Sequence, residues 1–318
     1  MTLPNDTMTS NEASSTQQDD FPSWRPPHPA KTTISPPSAA ETTTTATLKP
    51  SLPLDPSNYP NGKKSLSGIS LRAFLLGTTL GISIFLTIFL AFLQQQQPNP
   101  LWRVPFFLAS LCLFHFLEFY TTAEYNTHQA SVSAFLLSSN GWAYNFAHGS
   151  AVVECLIAYG LFPTSRYYTL QLEDVYGIKI SVVIGVLLMV LGQVVRTLAM
   201  AQAGSNFNHT VQVEYNEGHV LVRNGVYALS RHPSYFGFFW WGLGTQLVLG
   251  NVVCFAGYAV VLWKFFHSRI DSKLPFSLYG CFARLTVYVG EEKFLICFFG
   301  DDYVDYKKTT WVGIPGIQ

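Results

Sequence analysis

Six apolar segments constrain the fold of this chain more than any other feature of its sequence. Crossing the hydrocarbon core of a membrane takes about 20 predominantly apolar residues. Four segments reach that length, at residues 71–93, 101–122, 142–162 and 175–200. Two shorter segments, at residues 235–249 and 252–267, are separated only by Gly250 and Asn251 and predict a helical hairpin. The pattern predicts an all-α polytopic membrane protein with about six transmembrane segments, the last two forming this C-terminal hairpin.

The few charges are unevenly distributed. Only 12% of the residues are charged, against about 25% in an ordinary soluble domain. Residues 1–66 are polar and rich in Ser, Thr and Pro, so they cannot bury enough apolar surface to offset their chain entropy. We therefore predict a disordered N-terminal tail over residues 1–66 and a membrane-embedded domain over residues 67–318.

Basic residues near the segment ends predict the orientation. Lys63, Lys64 and Arg72 precede or open the first segment, whereas the following loop, residues 94–100, contains no Lys or Arg. Because Lys and Arg are enriched in cytoplasmic loops, both termini are predicted to be cytosolic. The same rule places the polar loop of residues 204–234 on the cytosolic side.

That loop is the first candidate for chemistry. His232 precedes Pro233, so a helix should begin there. Free amides near residues 234–236 would suit an anionic group, and residues 210–215 and 219–222 alternate in the manner of short extended pieces. Arg231 and His232 could instead simply mark the membrane interface.

Other ionisable residues admit simpler interpretations. Glu291 and Glu292 open an apolar run, and their role could be merely to complement a helix dipole. Within the spans lie His115, Glu118, His148 and Glu154. Their spacing matches no metal motif, so we expect a packed polar network and no metal. Zero net charge without a basic stripe argues against nucleic acid.

Several motifs together resemble the isoprenylcysteine carboxyl methyltransferases over roughly residues 120–318. They are Asn206-Phe207-Asn208-His209-Thr210-Val211-Gln212, His219-Val220-Leu221-Val222 with Gly225-Val226-Tyr227, Arg231-His232-Pro233-Ser234-Tyr235 with Gly237, Glu291-Glu292 with Leu295, and Phe298-Phe299-Gly300 with Tyr303 and Tyr306. The Arg-His-Pro and Glu-Glu elements also occur in other small membrane methyltransferases and in sterol reductases. The Asn206-Phe207-Asn208-His209 stretch favours the isoprenylcysteine carboxyl methyltransferases among these families.

The resemblance implies a cofactor and the residues that hold it. The cofactor would be S-adenosylmethionine, bound in a cytosolic cleft without a Rossmann domain. By motif match, the cofactor contacts fall on Gln212, His219, Val220, Leu221, Val222, Tyr227, His232, Pro233, Ser234, Tyr235 and Glu291. Arg269 matches the position that binds the substrate carboxylate.

The resemblance also implies the reaction. It is methyl esterification of the C-terminal S-prenylcysteine of farnesylated or geranylgeranylated proteins, at the endoplasmic reticulum membrane. The acceptor carboxylate is already ionised at neutral pH, so we assign no general base. Holding the two reactants in line would supply most of the catalysis, and the aromatic start of the hairpin could border the path of the prenyl tail from the bilayer.

One departure from the family pattern is clear. Residues 270–290 separate Arg269 from Glu291, where the family has only a few residues. We interpret residues 272–289 as an insertion. We hypothesise a retained intron or gene-model error, because the codons AGT-AAG, which contain a common splice-donor sequence, would encode Ser272-Lys273. A genuine insertion would remove the reason to expect Arg269 and Glu291 in one cleft.

Three other functions stay open at this stage. A phospholipid N-methyltransferase, acting on phosphatidylethanolamine, would be expected to place a carboxylate and not Arg269 at its amine acceptor. A sterol reductase would require a nicotinamide cofactor. A non-catalytic membrane scaffold or transporter would be expected to carry polar groups at mid-depth of its spans, whereas here they concentrate in one loop.

Overall fold

The computed structural model describes residues 55–94, 100–162, 174–175, 178–215, 217–271 and 290–318. The predicted insertion at residues 272–289 lies outside the described residues, as does most of the predicted tail. Within that tail, residues 56–58 form a 3₁₀ turn, and the carbonyl of Lys63 accepts a hydrogen bond from the amide of Val132 at 2.9 Å.

The described residues form eight α-helices and one short strand pair. The helices are α1 (Leu66–Gln94), α2 (Arg103–Tyr125), α3 (Gly141–Leu161), α4 (Ile180–Ala203), α5 (Pro233–Leu249), α6 (Val253–Ile270), α7 (Glu291–Phe299) and α8 (Asp301–Thr309). The strands β1 (Asp174–Val175) and β2 (Ile178–Lys179) pair antiparallel. Short 3₁₀ turns lie at Pro56–Asn58, Pro100–Trp102, Thr127–Gln129, Val132–Phe135, Gly204–Asn206 and Gly225–Ala228.

Each of the six predicted apolar segments contains a helix, α1 to α6. Among the described residues, three helical stretches are long and apolar enough to cross a membrane: Leu66–Leu93, Pro100–Tyr125 and Ile180–Asn206. The hairpin helices α5 and α6 are shorter, at 17 and 18 residues. The coarse architecture is thus a helical protein with apolar helices of membrane-spanning length.

The predicted start of the fourth segment at residue 175 is wrong. Val175 lies in β1 opposite Ile178, and helix α4 begins at Ile180. The backbone of Lys179 is extended, with φ −74° and ψ 107°, because it pairs with Asp174 across the ladder. Apolar composition extended the prediction into residues that pair as strands.

Glycines bring α4 and α5 into backbone contact. Gly185 and Gly192 are seven residues apart on α4, so they lie on one face of that helix. A Cβ at Gly192 would lie 2.4 Å from the carbonyl oxygen of Gly237, and one at Gly185 would lie 2.8 Å from that of Gly244. Small residues permit this close approach between membrane helices.

The helical hairpin predicted from the last two apolar segments is confirmed as α5 and α6. Helix α5 ends at Gly250, whose φ of +78° suits glycine. The carboxylate of Glu154 on α3 accepts hydrogen bonds from the amides of Val252, Val253 and Cys254, at 2.6–2.8 Å. These amides have no partner within α6, so Glu154 satisfies them from a neighbouring helix. The hairpin places the beginning of α5 and the end of α6 at the same end of the bundle.

Candidate active site

A cleft lies between the polar loop, the beginning of α5, and helices α7 and α8. Its polar wall comes from the loop and its aromatic wall from the C-terminal helices. All eleven positions predicted to contact the cofactor line it: Gln212, His219, Val220, Leu221, Val222, Tyr227, His232, Pro233, Ser234, Tyr235 and Glu291. These eleven residues, up to 79 positions apart in the sequence, therefore meet around one space.

The floor of the cleft is the first turn of α5. His232 caps the helix and Pro233 occupies its first turn, as predicted. The predicted free amides are only partly present, because the amides of Tyr235 and Phe236 both donate to the carbonyl of His232 at 3.0 Å. The turn is tightened in 3₁₀ fashion, which is a common way of satisfying the first amides of a helix.

A buried carboxylate, Glu292, joins this floor to α7 and α8. Its Oε1 accepts hydrogen bonds from Arg231 Nε at 2.6 Å and from Tyr303 Oη at 3.3 Å, and lies 3.0 Å from His232 Nε2. Its Oε2 pairs with Lys307 Nζ at 2.6 Å. Arg231, His232 and Glu292 are all nearly inaccessible to solvent. The interpretation of Arg231 and His232 as simple interface markers is therefore wrong.

This environment keeps Glu292 ionised. Burial by itself raises the pKa of a carboxyl group, but the hydrogen bond and electrostatic attraction of His232, with hydrogen bonds from Lys307 and Arg231, lower the pKa of Glu292 well below its usual range. Burial and the neighbouring Glu292 raise the pKa of Tyr303. Tyr303 therefore keeps its proton at neutral pH and donates a hydrogen bond to Glu292.

Glu291, the other member of the acidic pair, faces the cleft. Its Oε2 accepts a hydrogen bond from Tyr235 Oη at 2.5 Å. The ring of Tyr235 stacks on that of His232, with centroids 5.5 Å apart and planes 7° from parallel. Adjacent carboxylates thus have separate surroundings: Glu292 is locked in a buried ion-pair cluster, and Glu291 has one described hydrogen bond in the cleft.

Arg269, predicted to bind the substrate carboxylate, lies beside the cleft at the end of α6. Its guanidinium lies over the Tyr235 ring, with Cζ 5.5 Å from the centroid. It donates from Nη2 to the carbonyl of His209. Its Nε is buried and has no hydrogen-bond partner in the part of the chain that the structure describes. Arg269 and Glu291 therefore contact the same side chain, Tyr235, although residues 270–290 separate them in sequence.

A second buried ion pair, between α2 and α4, supports the floor. Arg196 on α4 makes a two-pronged pair with Glu118 on α2, one N–O distance being 2.8 Å. It also donates from Nη1 to Ser234 Oγ at 2.9 Å. His209 Nδ1 lies 3.7 Å from Glu118 Oε2, and burial lowers the pKa of His209 to about 4 despite the carboxylate. His209 is therefore neutral at pH 7 and does not compete with Arg196 as a cationic partner of Glu118.

Aromatic side chains close the remaining sides. Tyr215, from the loop, contacts the rings of His219 and Phe298 at 5.8 Å between centroids. Tyr306 donates to the carbonyl of Tyr227 at 2.5 Å, and burial raises the pKa of Tyr306 to about 12. The cleft thus combines one half-buried carboxylate, several neutral donors and flat apolar walls, a set suited to a ligand with a charged end and an aromatic end.

Comparison with known proteins identifies the family. The model of the isoprenylcysteine carboxyl methyltransferase family matches residues 184–273. A protein-S-isoprenylcysteine O-methyltransferase of Saccharomyces cerevisiae is 40% identical over 264 residues, covering 83% of this chain and 97% of that protein. The enzyme of the same name in Homo sapiens is 35% identical over 250 residues, covering 79% of this chain and 75% of that protein.

This chain belongs to the isoprenylcysteine carboxyl methyltransferase family.

A solved structure agrees with the family assignment. The eukaryotic intramembrane Ras methyltransferase ICMT superposes with a TM-score of 0.62 at 33% sequence identity, covering 79% of this chain and 77% of that one. The match of the family model covers most of α4 and all of α5 and α6, and it includes Arg196, His232 and Arg269.

Sequence reasoning missed the roles of three charged residues at this family's cleft. Arg231 and Glu292 are partners 61 positions apart, and only their adjacency to His232 and Glu291 in the motifs hinted at them. Arg196 was overlooked because a single Arg near the end of an apolar run resembles a residue at the membrane interface. Its burial beside Glu118 becomes evident only when α2 and α4 pack together.

The four residues predicted to form a packed polar network all make polar contacts, and Tyr144 connects two of them. Its hydroxyl lies 3.1 Å from His115 Nε2, and its ring centroid lies 4.1 Å from that of His148. Glu118 pairs with Arg196, and Glu154 caps α6 as described above. His115 Nδ1 lies 2.8 Å from the carbonyl oxygen of Phe135, and His148 Nδ1 lies 2.6 Å from Tyr258 Oη. Among the described residues, no group of three or more His, Cys, Asp or Glu side chains forms a metal-binding set.

Proposed function

We propose that this chain is a protein-S-isoprenylcysteine O-methyltransferase that esterifies the C-terminal carboxylate of prenylated proteins with S-adenosylmethionine as methyl donor. The relatives that bear this name cover most of the chain. The observation that carries the proposal concerns Tyr235. Its hydroxyl donates to Glu291, a carboxylate in the cleft, and its ring lies under Arg269, a cation beside the cleft. The proposed sites of the methyl donor and of the acceptor therefore meet at one side chain.

The described residues fit this cofactor. S-adenosylmethionine, when bound, supplies a methyl group on a positively charged sulfur, and it carries ammonium, carboxylate and adenine groups. Glu291 would hold the ammonium. Arg231 lines the cleft and has a buried Nη2 without a hydrogen-bond partner among the described residues, so it and the first turn of α5 would hold the carboxylate. The rings of Phe294 and Phe298 would pack against the adenine.

Arg269 would orient the acceptor. Its unpartnered Nε gives it a donor for a carboxylate while Nη2 stays engaged with His209. Charge-assisted hydrogen bonds of this kind fix both distance and angle. Because the acceptor carboxylate is already ionised at neutral pH, the side chains of the site would position it and exclude water, and no general base is assigned.

The membrane supplies the prenyl-bearing substrate in this proposal. We propose that α1 to α6 all cross or enter the bilayer, with the cleft and both termini on the cytosolic side of the endoplasmic reticulum. The distribution of Lys and Arg supports this orientation. Exposed apolar side chains along α1, among them Phe74 at 68% and Phe85 at 66% exposed, support contact with lipid rather than water.

A methylation assay with purified protein tests the proposal. N-acetyl-S-farnesyl-cysteine and phosphatidylethanolamine are offered separately with labelled S-adenosylmethionine. We expect transfer to the prenylcysteine alone, since Arg269 would repel an ammonium acceptor. Transfer to the lipid alone would instead identify a phospholipid methyltransferase, and no transfer together with no binding of S-adenosylhomocysteine would favour the scaffold.

A further inference from the structure

Residues 311–318 run back over the hairpin after α8. Val312, Ile314 and Ile317 are 1%, 3% and 6% exposed, and they pack in one apolar cluster with α5 and α6. The backbone of this closing segment (residues 311–318) bends at Gly313 and Gly316, whose φ angles are +80° and +76°. The segment is therefore an integral part of the core and not a loose end.

Two tryptophans form hydrogen bonds with the backbone of the closing segment. Trp240 on α5 donates its indole N–H to the carbonyl of Gly313 at 3.3 Å. Trp263 on α6 donates its indole N–H to the carbonyl of Pro315 at 2.7 Å. Each indole is half-buried and has one N–H to give, so each tryptophan fixes one point of the segment. Neither tryptophan lines the cleft.

The closing segment, together with Thr310 just before it, in turn holds Arg231. The amide of Arg231 donates to the carbonyl of Trp311 at 2.9 Å, and its Nη1 donates to the carbonyl of Thr310 at 2.7 Å. Ser230 Oγ donates to the carbonyl of Val312 at 3.0 Å. Arg231 is thus anchored through both its backbone and its side chain, and its Nε is the group that engages Glu292.

We propose that Trp240 and Trp263 are positioning residues for the cofactor cleft, acting through the closing segment on Arg231. Releasing either indole loosens residues 311–318. Loosening that segment weakens the backbone contact of Arg231 with Trp311 and, through the adjoining Thr310, the contact that holds the guanidinium of Arg231 at the edge of the cleft. The inference rests on the proposed function, because it takes the cleft to hold S-adenosylmethionine.

Conservative substitutions test this chain of contacts. Trp240→Phe and Trp263→Phe remove the indole N–H while keeping an aromatic ring on the apolar cluster. The matched control is Trp142→Phe on α3, where the side chain is 77% exposed and contacts Phe146. The affinity for S-adenosylhomocysteine is measured by calorimetry, and deuterium uptake by residues 305–318 is measured by mass spectrometry.

We expect the double variant to bind S-adenosylhomocysteine about tenfold more weakly, since a hydrogen bond of this kind contributes a net factor of about 2 to 12. We expect faster deuterium uptake by the closing segment. The KM for S-adenosylmethionine should rise, with kcat and the KM for N-acetyl-S-farnesyl-cysteine changed less than about twofold. A merely structural role would lower kcat and both affinities together.

Three results would overturn the inference. They are an unchanged affinity in the double variant, unchanged deuterium uptake by residues 311–318, or an equal loss in Trp142→Phe. Gly313→Ala provides a second route should the double variant not fold, because a Cβ there would lie 2.5 Å from the ring of Phe236 and should loosen the same segment. If the unaltered chain does not bind S-adenosylhomocysteine, the proposed function itself is refuted. If the unaltered chain and the tryptophan variants bind it equally well, only the inference about the tryptophans is refuted.

Discussion

The guanidinium of Arg269 lies over the ring of Tyr235, with Cζ 5.5 Å from the ring centroid, while the hydroxyl of the same ring donates to Glu291 at 2.5 Å. Arg269 ends α6, Tyr235 belongs to the first turn of α5, and Glu291 opens α7. One aromatic side chain therefore connects the proposed acceptor side of the site with the proposed cofactor side.

Replacing Tyr235 with Phe should weaken the cofactor side selectively. The substitution keeps the ring under Arg269 but removes the donor to Glu291, and a hydrogen bond to a charged group contributes about 1.5–3 kcal/mol. We expect affinity for S-adenosylhomocysteine to fall by about tenfold or more, as measured by calorimetry. Tyr235→Leu should in addition raise the KM for N-acetyl-S-farnesyl-cysteine, because the contact with Arg269 is lost. Equal KM values for the acceptor in the two variants would contradict the shared role of this ring.

Replacing Arg269 with Met should act on the acceptor. Loss of one partner of a charge-assisted pair in a buried site costs about 3–5 kcal/mol, so kcat/KM for N-acetyl-S-farnesyl-cysteine should fall by at least about 100-fold. Affinity for S-adenosylhomocysteine should change by less than about twofold, since Arg269 lies outside the lining of the cleft. Lys308→Met is the matched control, because Lys308 is exposed and pairs with the exposed Asp305. A large loss of cofactor affinity in Arg269→Met would contradict this division of roles.

Replacing Glu292 with Gln should destabilise the fold and remove a pH dependence. The pKa of Glu292 is lowered in the folded state from an ordinary value near 4.5, so its contribution is complete above about pH 4.5. That contribution is lost as pH falls below this value toward the folded pKa, because the unfolded state then binds more protons. At pH 7, leaving Arg231 and Lys307 without their carboxylate should cost about 3–5 kcal/mol.

The apparent midpoint of thermal unfolding in detergent, recorded from pH 7 to pH 3, measures both effects. Glu292→Gln should have a lower midpoint at pH 7 and a flatter profile below pH 4.5 than the unaltered chain. Asp305→Asn, which removes an exposed carboxylate, serves as the control and should change the midpoint little. A profile as steep in Glu292→Gln as in the unaltered chain would assign the acid sensitivity to other groups.

Replacing Gly192 with Ala should separate α4 from α5. A methyl group at that position would lie 2.4 Å from a backbone oxygen of α5, which no side-chain rotation can relieve. Gly149→Ala on α3 is the same substitution with no atom within 4 Å of the new Cβ, and alanine favours a helix by about 1 kcal/mol over glycine. We expect Gly192→Ala to lose monodisperse protein in size-exclusion chromatography and Gly149→Ala to retain it. Equal behaviour would show that the backbone contact is not required.

Removing residues 272–289 should leave cofactor binding intact. Arg269 and Glu291 already contact a common side chain in the presence of this segment, so affinity for S-adenosylhomocysteine should change by less than about twofold after deletion. A complementary-DNA sequence lacking the segment would support the hypothesis of a retained intron. An unbroken complementary DNA would refute it, and a large gain in affinity on deletion would show that the segment obstructs the cleft.

The cleft residues could be predicted from sequence because they lie in short, continuous motifs. His232-Pro233 predicts a helix start through restrictions on the backbone of the two residues alone, and α5 does begin there. The boundary of α4 could not be predicted in the same way. Val175 is as compatible with an apolar helix as with a strand, and its pairing with Ile178 decided between them.

The sequence alone determined the number and approximate bounds of the apolar helices, the hairpin turn at Gly250, and the motifs that mark the cleft. These depend on local composition, helix capping and proline geometry, which act over a few residues. Only the tertiary structure decided that Arg231 pairs with Glu292, that Arg196 pairs with Glu118, and that Tyr235 joins Arg269 to Glu291. Those contacts join residues 34 to 78 positions apart, and buried charges select partners according to which helices pack together, information that no short stretch of sequence contains.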